Sequence, residues 1–221
     1  MNAAADALLL MVLITDLFIV GSGRLAAGVR AIAFQGVLLA ALPVLLWAPG
    51  GEVHVAHLAL ISLGALAVKA GVIPALLLRA AREAGARREV APYVSLHLSV
   101  LLGAALVILS LWLARVLVPP GGVATPAAAS LLVPMGFATA LMGFLMLVAR
   151  RYAVTQVVGY LMLDNGAFII GQLLTGAIPA VVELGILLDL LVAVVVMAIA
   201  IYHIGREFEH IDTRVLTSLR D

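Results

Sequence analysis

The chain has 221 residues, 65% of them hydrophobic and 11% charged, with a mean hydropathy of +1.23. No soluble domain of this length has that balance, so the composition predicts an all-α, polytopic membrane protein. A formal net charge of +1 gives nucleic acid no electrostatic footprint to bind. With no cysteine there is no disulfide, thiolate metal site or iron–sulfur cluster held by this chain, and any redox chemistry belongs to a partner.

Residues 1–23 contain no Lys or Arg, which argues against a cleaved signal peptide and keeps the first run as a membrane helix. Seven apolar runs follow, over 4–21, 26–47, 55–79, 93–118, 127–149, 152–174 and 180–204. Each is long enough to cross a bilayer core of about 30 Å, the first only just. Breakers separate most of them: Gly21-Ser22-Gly23, Ala48-Pro49-Gly50-Gly51, Pro119-Pro120-Gly121-Gly122 and Thr175 to Pro179. Arg150-Arg151 makes a tight turn between runs five and six. Basic residues follow runs one, three, five and seven, with Arg115 near the outer end of run four as the exception. That pattern predicts seven transmembrane helices with the N-terminus outside and the C-terminus cytoplasmic.

The organisation read from this pattern is an N-terminal three-helix segment over 1–92, a linker helix and outer loop over 93–126, a second three-helix segment over 127–204, and a cytoplasmic tail over 205–221. The two triplets share a faint repeat, each with basic residues after its first member and a polar residue, Gln35 or Asp164, in its middle helix. In the tail, Val215, Leu216 and Leu219 are spaced for a short amphipathic helix against a cytoplasmic partner, or for a frayed interfacial end.

Lys69 is the most informative residue. It precedes Arg79 by about ten residues, which is roughly 15 Å along a helix and too deep to snorkel easily. At that depth an ammonium needs a carboxylate, backbone carbonyls or water, for ion handling or merely to fix a helix interface. Pro74 removes a backbone donor and frees a carbonyl near Ala70, either opening a hydrated spot or making an ordinary kink. Asp164, beside Asn165 and Gly166, lies mid-run and can exchange a proton with a lysine or water, or serve as an interfacial hydrogen-bonding group. Gly159, Gly166 and Gly171 in the same run invite close approach of another helix.

Asp189 lies deep in the last run and is the better relay candidate there. Glu183, six residues earlier, is about 120° away around the helix and fits an interfacial cap as well as an outer gate. Gln35 can bond across helices or support a water chain. Asp16 sits near the end of a short first helix, where an interfacial aspartate is the favoured reading and a relay exit the other. His57, His97 and His203 lie near helix ends without ligand spacing, so no metal site is expected. No phosphate-binding loop, nucleophile elbow or His-Glu-x-x-His motif is present, and a self-contained enzyme has no support.

The stretch Met142 to Tyr152, with Arg150-Arg151, then Val158-Gly-Tyr-Leu-Met-Leu-Asp164-Asn165-Gly166, resembles the hydrogenase-4 component E family. The segments Val182 to Met197 and Ile211 to Arg220 fit the same resemblance, as do Phe34-Gln35 and Lys69 followed by Pro74. Runs five to seven are also similar to the K subunit of respiratory complex I and the C subunit of multisubunit sodium/proton antiporters. In the K subunit two membrane glutamates belong to the proton path. The first would fall near Tyr160 or Leu161, whereas the carboxylate here is Asp164, about one turn later; Glu183 or Asp189 would stand for the second. The hydrogenase family typically shows glutamate at the Asp164 position, so the shorter side chain reaches less far.

The resemblance implies an integral subunit of a complex I-like membrane-bound hydrogenase of the formate hydrogenlyase type, in the inner or plasma membrane. It implies partners: antiporter-like membrane subunits, a membrane anchor and peripheral hydrogenase subunits holding a nickel–iron centre and iron–sulfur clusters, with no cofactor bound by this chain. Lys69, Asp164, Asp189, Glu183 and Gln35 are the expected proton or ion pathway residues. The alternatives are a non-conducting scaffold of the membrane arm, a subunit of a multisubunit cation/proton antiporter, or an independent small-molecule transporter.

Overall fold

The computed structural model describes residues 3–46, 55–83, 93–117 and 131–172. Within them every regular element is helical: α1 (Ala3–Gly21), α2 (Leu25–Leu46), α3 (Val55–Ala65), a π-helical segment (Leu66–Val72), α4 (Ile73–Glu83), α5 (Leu96–Leu117), α6 (Leu132–Ala149) and α7 (Ala153–Gly171). Six helical stretches among the described residues are long and apolar enough to cross a membrane, the third running through the π segment over Ser62–Arg79. In hydrocarbon each backbone N–H and C=O must bond within its own segment, which is why uniformly apolar runs resolve into helices. The seventh run, with Glu183 and Asp189, the tail with His203, and the loops after runs two, three and four lie outside the described residues.

The third run shows how a single residue shapes a helix. Pro74 has no N–H to give the carbonyl four residues back, so the α-helical ladder cannot pass through it unchanged. The chain responds before the proline with a π segment, in which the Ile73 N–H bonds the Val68 carbonyl five residues back. The wider turn carries Lys69.

Helices α6 and α7 form an antiparallel hairpin locked by glycines. A Cβ at Gly143 would collide with the Leu163 nitrogen and stand 2.7 Å from the Gly159 carbonyl oxygen. One at Gly166 would stand 2.5 Å from the Ala140 nitrogen and 2.6 Å from the Gly136 oxygen. Gly136 and Gly143 thus face Gly166 and Gly159, each pair seven residues apart on its helix, and the two backbones touch. Gly171 lies beyond this contact and meets nothing within 4 Å among the described residues.

The bundle is built in layers. One apolar cluster joins Ile19, Val20, Leu25, Val29, Leu77, Met146, Val154 and Val158. It brings together the end of α1, the start of α2, the end of α4 and the start of α7, so the arginines flanking these ends share one end of the bundle. A second cluster joins Leu9, Val12, Leu39, Leu42, Leu132, Met135 and Ile169 toward the other end. Helix α5 packs on α1 and α6 at the periphery, with Gly103 against Leu17 and Met142. Large apolar side chains such as Ile14, Phe18, Leu63, Leu101, Ile108 and Trp112 face outward. Polar side chains gather inside, the arrangement expected of a protein surrounded by lipid.

Candidate functional site

Between the two apolar clusters lies a polar layer drawn from five helical segments. At one end Asp16 of α1 is fully buried, 0% exposed. Its Oδ2 accepts from the Thr139 hydroxyl of α6 at 2.6 Å and its Oδ1 from the Gln35 amide nitrogen of α2 at 2.6 Å. The same Gln35 nitrogen reaches the Val12 carbonyl at 3.3 Å. The Gln35 oxygen accepts from the Asn165 Nδ2 of α7 at 3.2 Å. Asn165 Oδ1 in turn accepts from Lys69 Nζ of the π segment at 3.0 Å. Lys69 also donates to the Asp164 Oδ2 as an ion pair. Its ammonium sits 4.9 Å from the Phe168 ring centroid, a further attraction for a desolvated cation. Direct hydrogen bonds therefore run without a break from Thr139 through Asp16, Gln35, Asn165 and Lys69 to Asp164.

Each position has a local cause. Gly36 lets α2 lie against the π segment: a Cβ there would fall 2.8 Å from the Lys69 carbonyl carbon and the Ala70 nitrogen. The glycine-locked hairpin fixes Asp164 and Asn165 relative to Thr139. Lys69 is 5% exposed and Asp164 17%, so the pair is shielded, with Asp164 the more open of the two.

Of the residues expected from sequence, Lys69, Asp164 and Gln35 come together here. Asp189 and Glu183 lie outside the described residues. Asp16 is not interfacial, as its place near a helix end suggested; it is a buried member of the layer because α2 and α6 both cover it. Thr139 and Asn165 also belong to the layer. The signal for Asp16 and Asn165 was present, a group that needs a partner inside an apolar run. A lone threonine such as Thr139 gives none.

The basic end is built differently. Arg150 is buried at 0% exposure, although it stands in a turn. Its guanidinium donates to the Val20 carbonyl, and its Nε lies 3.3 Å from Met146 Sδ. A cation bonded to a carbonyl in the last turn of α1 meets the negative end of that helix. Gln156 donates to the Arg150 carbonyl at 3.0 Å, while Arg151 lies over the Tyr93 ring at 4.8 Å. One arginine thus ties α1 to the hairpin and the other meets the segment leading into α5.

Fold and site together define a multi-pass helical membrane protein with a buried, charge-bearing polar layer. The chain is 36% identical over 209 residues to the uncharacterized protein Rv0085 of Mycobacterium tuberculosis, covering 94% of this chain and 92% of that protein. It belongs to that protein's family. It is also 35% identical over 80 residues to hydrogenase-4 component E of Escherichia coli K12 and of Shigella flexneri, a match that covers 36% of this chain and 37% of those proteins. No family model matches the chain, and no solved structure matches it.

Proposed function

We propose that this chain is an integral subunit of a complex I-like, membrane-bound hydrogenase assembly and contributes to proton or sodium movement coupled to electron transfer in its partners. The observation that carries the reading is the Lys69–Asp164 ion pair, continued by hydrogen bonds to a third ionisable group, Asp16, inside an apolar bundle. Ionisable groups cost several kcal/mol to keep at such depth and are characteristic of ion pathways. The partial likeness to hydrogenase-4 component E supports the choice of assembly.

In this reading the chain crosses the inner or plasma membrane seven times, with its arginine-rich end cytoplasmic. Lys69, Asp164 and Gln35 form the central part of the path, and Asp189 and Glu183 continue it through the seventh run. The partners are antiporter-like subunits, a membrane anchor and a peripheral arm carrying nickel–iron and iron–sulfur centres.

The test is purification of the tagged native protein in mild detergent, with partner identification and nickel and iron analysis, followed by ion-pumping assays on vesicles. A complex containing nickel and iron, whose pumping collapses in Lys69→Met and in Asp164→Asn while electron transfer persists, is expected. Normal pumping in both variants would leave a scaffold, and a metal-free complex with antiporter-like proteins would remove the hydrogenase.

A further inference from the structure

The amides in the polar layer are all turned the same way. Gln35 points its nitrogen at Asp16 and its oxygen at Asn165. Asn165 points its nitrogen at Gln35 and its oxygen at Lys69. Both Asp16 oxygens accept, as a carboxylate's do, and Lys69 donates to both of its polar partners, as an ammonium does. A side-chain amide has one donating end and one accepting end, so two amides in series transmit polarity. The end facing Asp16 and the end facing Lys69 cannot be chosen independently.

We infer that Gln35 and Asn165 form a paired amide switch that couples proton uptake at Asp16 to proton transfer within the Lys69–Asp164 pair. This deepens the proton-handling reading above and rests on it. A protonated Asp16 carries an O–H that needs an acceptor. Turning Gln35 over presents its oxygen to that O–H and its nitrogen to Asn165. Asn165 then turns over as well and presents its nitrogen to Lys69. A donor facing an ammonium is repelled, but a donor facing an amine finds a lone pair. The Lys69 Nζ–H bond to Asp164 therefore breaks toward the carboxylate, an Asp164 O–H forms, and the amine turns about its Cε–Nζ bond to bring the freed lone pair to the Asn165 N–H.

The balance is simple: one proton enters at Asp16, one moves from Lys69 to Asp164, and a layer with two anions and one cation becomes neutral. Turning an amide about its last torsion exchanges oxygen and nitrogen in nearly the same volume, so the tightly packed hairpin need not move. The flip gives up the Gln35 bond to the Val12 carbonyl, which biases the resting state toward the orientation observed.

Among the described residues, the groups facing Asp16 are Gln35 from α2 and Thr139 from α6, and those facing Lys69 are Asp164, Asn165 and Phe168 from α7. On α5, packed against α1, His97 and Arg115 lie near opposite ends of the helix, and Arg150 bonds α1 beyond Asp16 at Val20. Asp16 and Lys69 are the termini of the amide pair, and Gln35 and Asn165 are positioning residues.

The test uses the full chain in lipid nanodiscs and reads Asp16 protonation from its carboxylic C=O infrared band, assigned by its loss in Asp16→Asn. Replacing Lys69 by Met is expected to move the Asp16 protonation midpoint by about one pH unit, a tenfold change. Repeating the replacement in Gln35→Met, and separately in Asn165→Leu, cuts the chain at two different joints and is expected to reduce that movement by at least half. A movement of the same size in both cut backgrounds would reduce the coupling to charge acting through space and overturn the switch. So would a native chain in which Lys69→Met moves nothing. Because the readout needs no partner and no pumping, failure here is distinguishable from failure of the hydrogenase reading.

Discussion

The two sides of the Lys69–Asp164 pair are held by opposite means. On one side α6 and α7 touch backbone to backbone at four glycines, leaving no room for a single added carbon. That contact fixes Asp164, Asn165 and Thr139 as one body. On the other side Lys69 rides a π-helical turn whose ladder is already opened ahead of Pro74. A buried pair is thus presented by a close-packed partner and a loosely wound one. Change is therefore easier on one side: the carboxylate is located by sterics, whereas the ammonium is located by its hydrogen bonds and by one close approach, at Gly36.

Breaking the rigid side should have the largest effect. Gly143→Leu drives a side chain into the Leu163 and Gly159 backbone, and the hairpin is expected not to assemble, read as loss of folded protein after detergent extraction. Removing the cation comes next. Lys69→Met strands Asp164 and Asn165 and should cost about 3–5 kcal/mol, whereas Lys69→Met with Asp164→Leu should recover most of that loss. A denaturation series on both variants checks this, and equal stability of single and double variants would mean the pair is not shielded.

Smaller effects sharpen the contrast. Gly36→Ala pushes α2 away from the Lys69 backbone and should cost about 1–3 kcal/mol, read in the same unfolding assay. Pro74→Ala restores the missing N–H, so the π segment should tighten toward an α-helix and Lys69 should turn relative to Asp164. Cysteine cross-linking from α7 would detect the rotation, and an unchanged pattern would show that the proline does not cause the π turn.

Much of the fold was legible in the sequence because its cause is local. Each helix follows from an apolar run that must satisfy its own backbone, and the breakers at Gly21-Ser22-Gly23 and Arg150-Arg151 mark where runs stop. Lys69 and Asp164 stood out because the cost of burying a charge is visible wherever an apolar run contains one. Gly159 and Gly166 were legible as close-approach residues, but their partners Gly136 and Gly143 depend on helix register, which no single run contains.

Hydropathy and the placement of charge alone make this protein helical, suited to lipid, and obliged to pair a deep lysine. Which groups pair is set by the packing of the helices. Asp16 meets Gln35 and Thr139, and Lys69 meets Asp164 and Asn165, from helices far apart along the chain. The physical reason is that hydropathy is a property of each segment alone, whereas a hydrogen bond between segments depends on how their surfaces interlock.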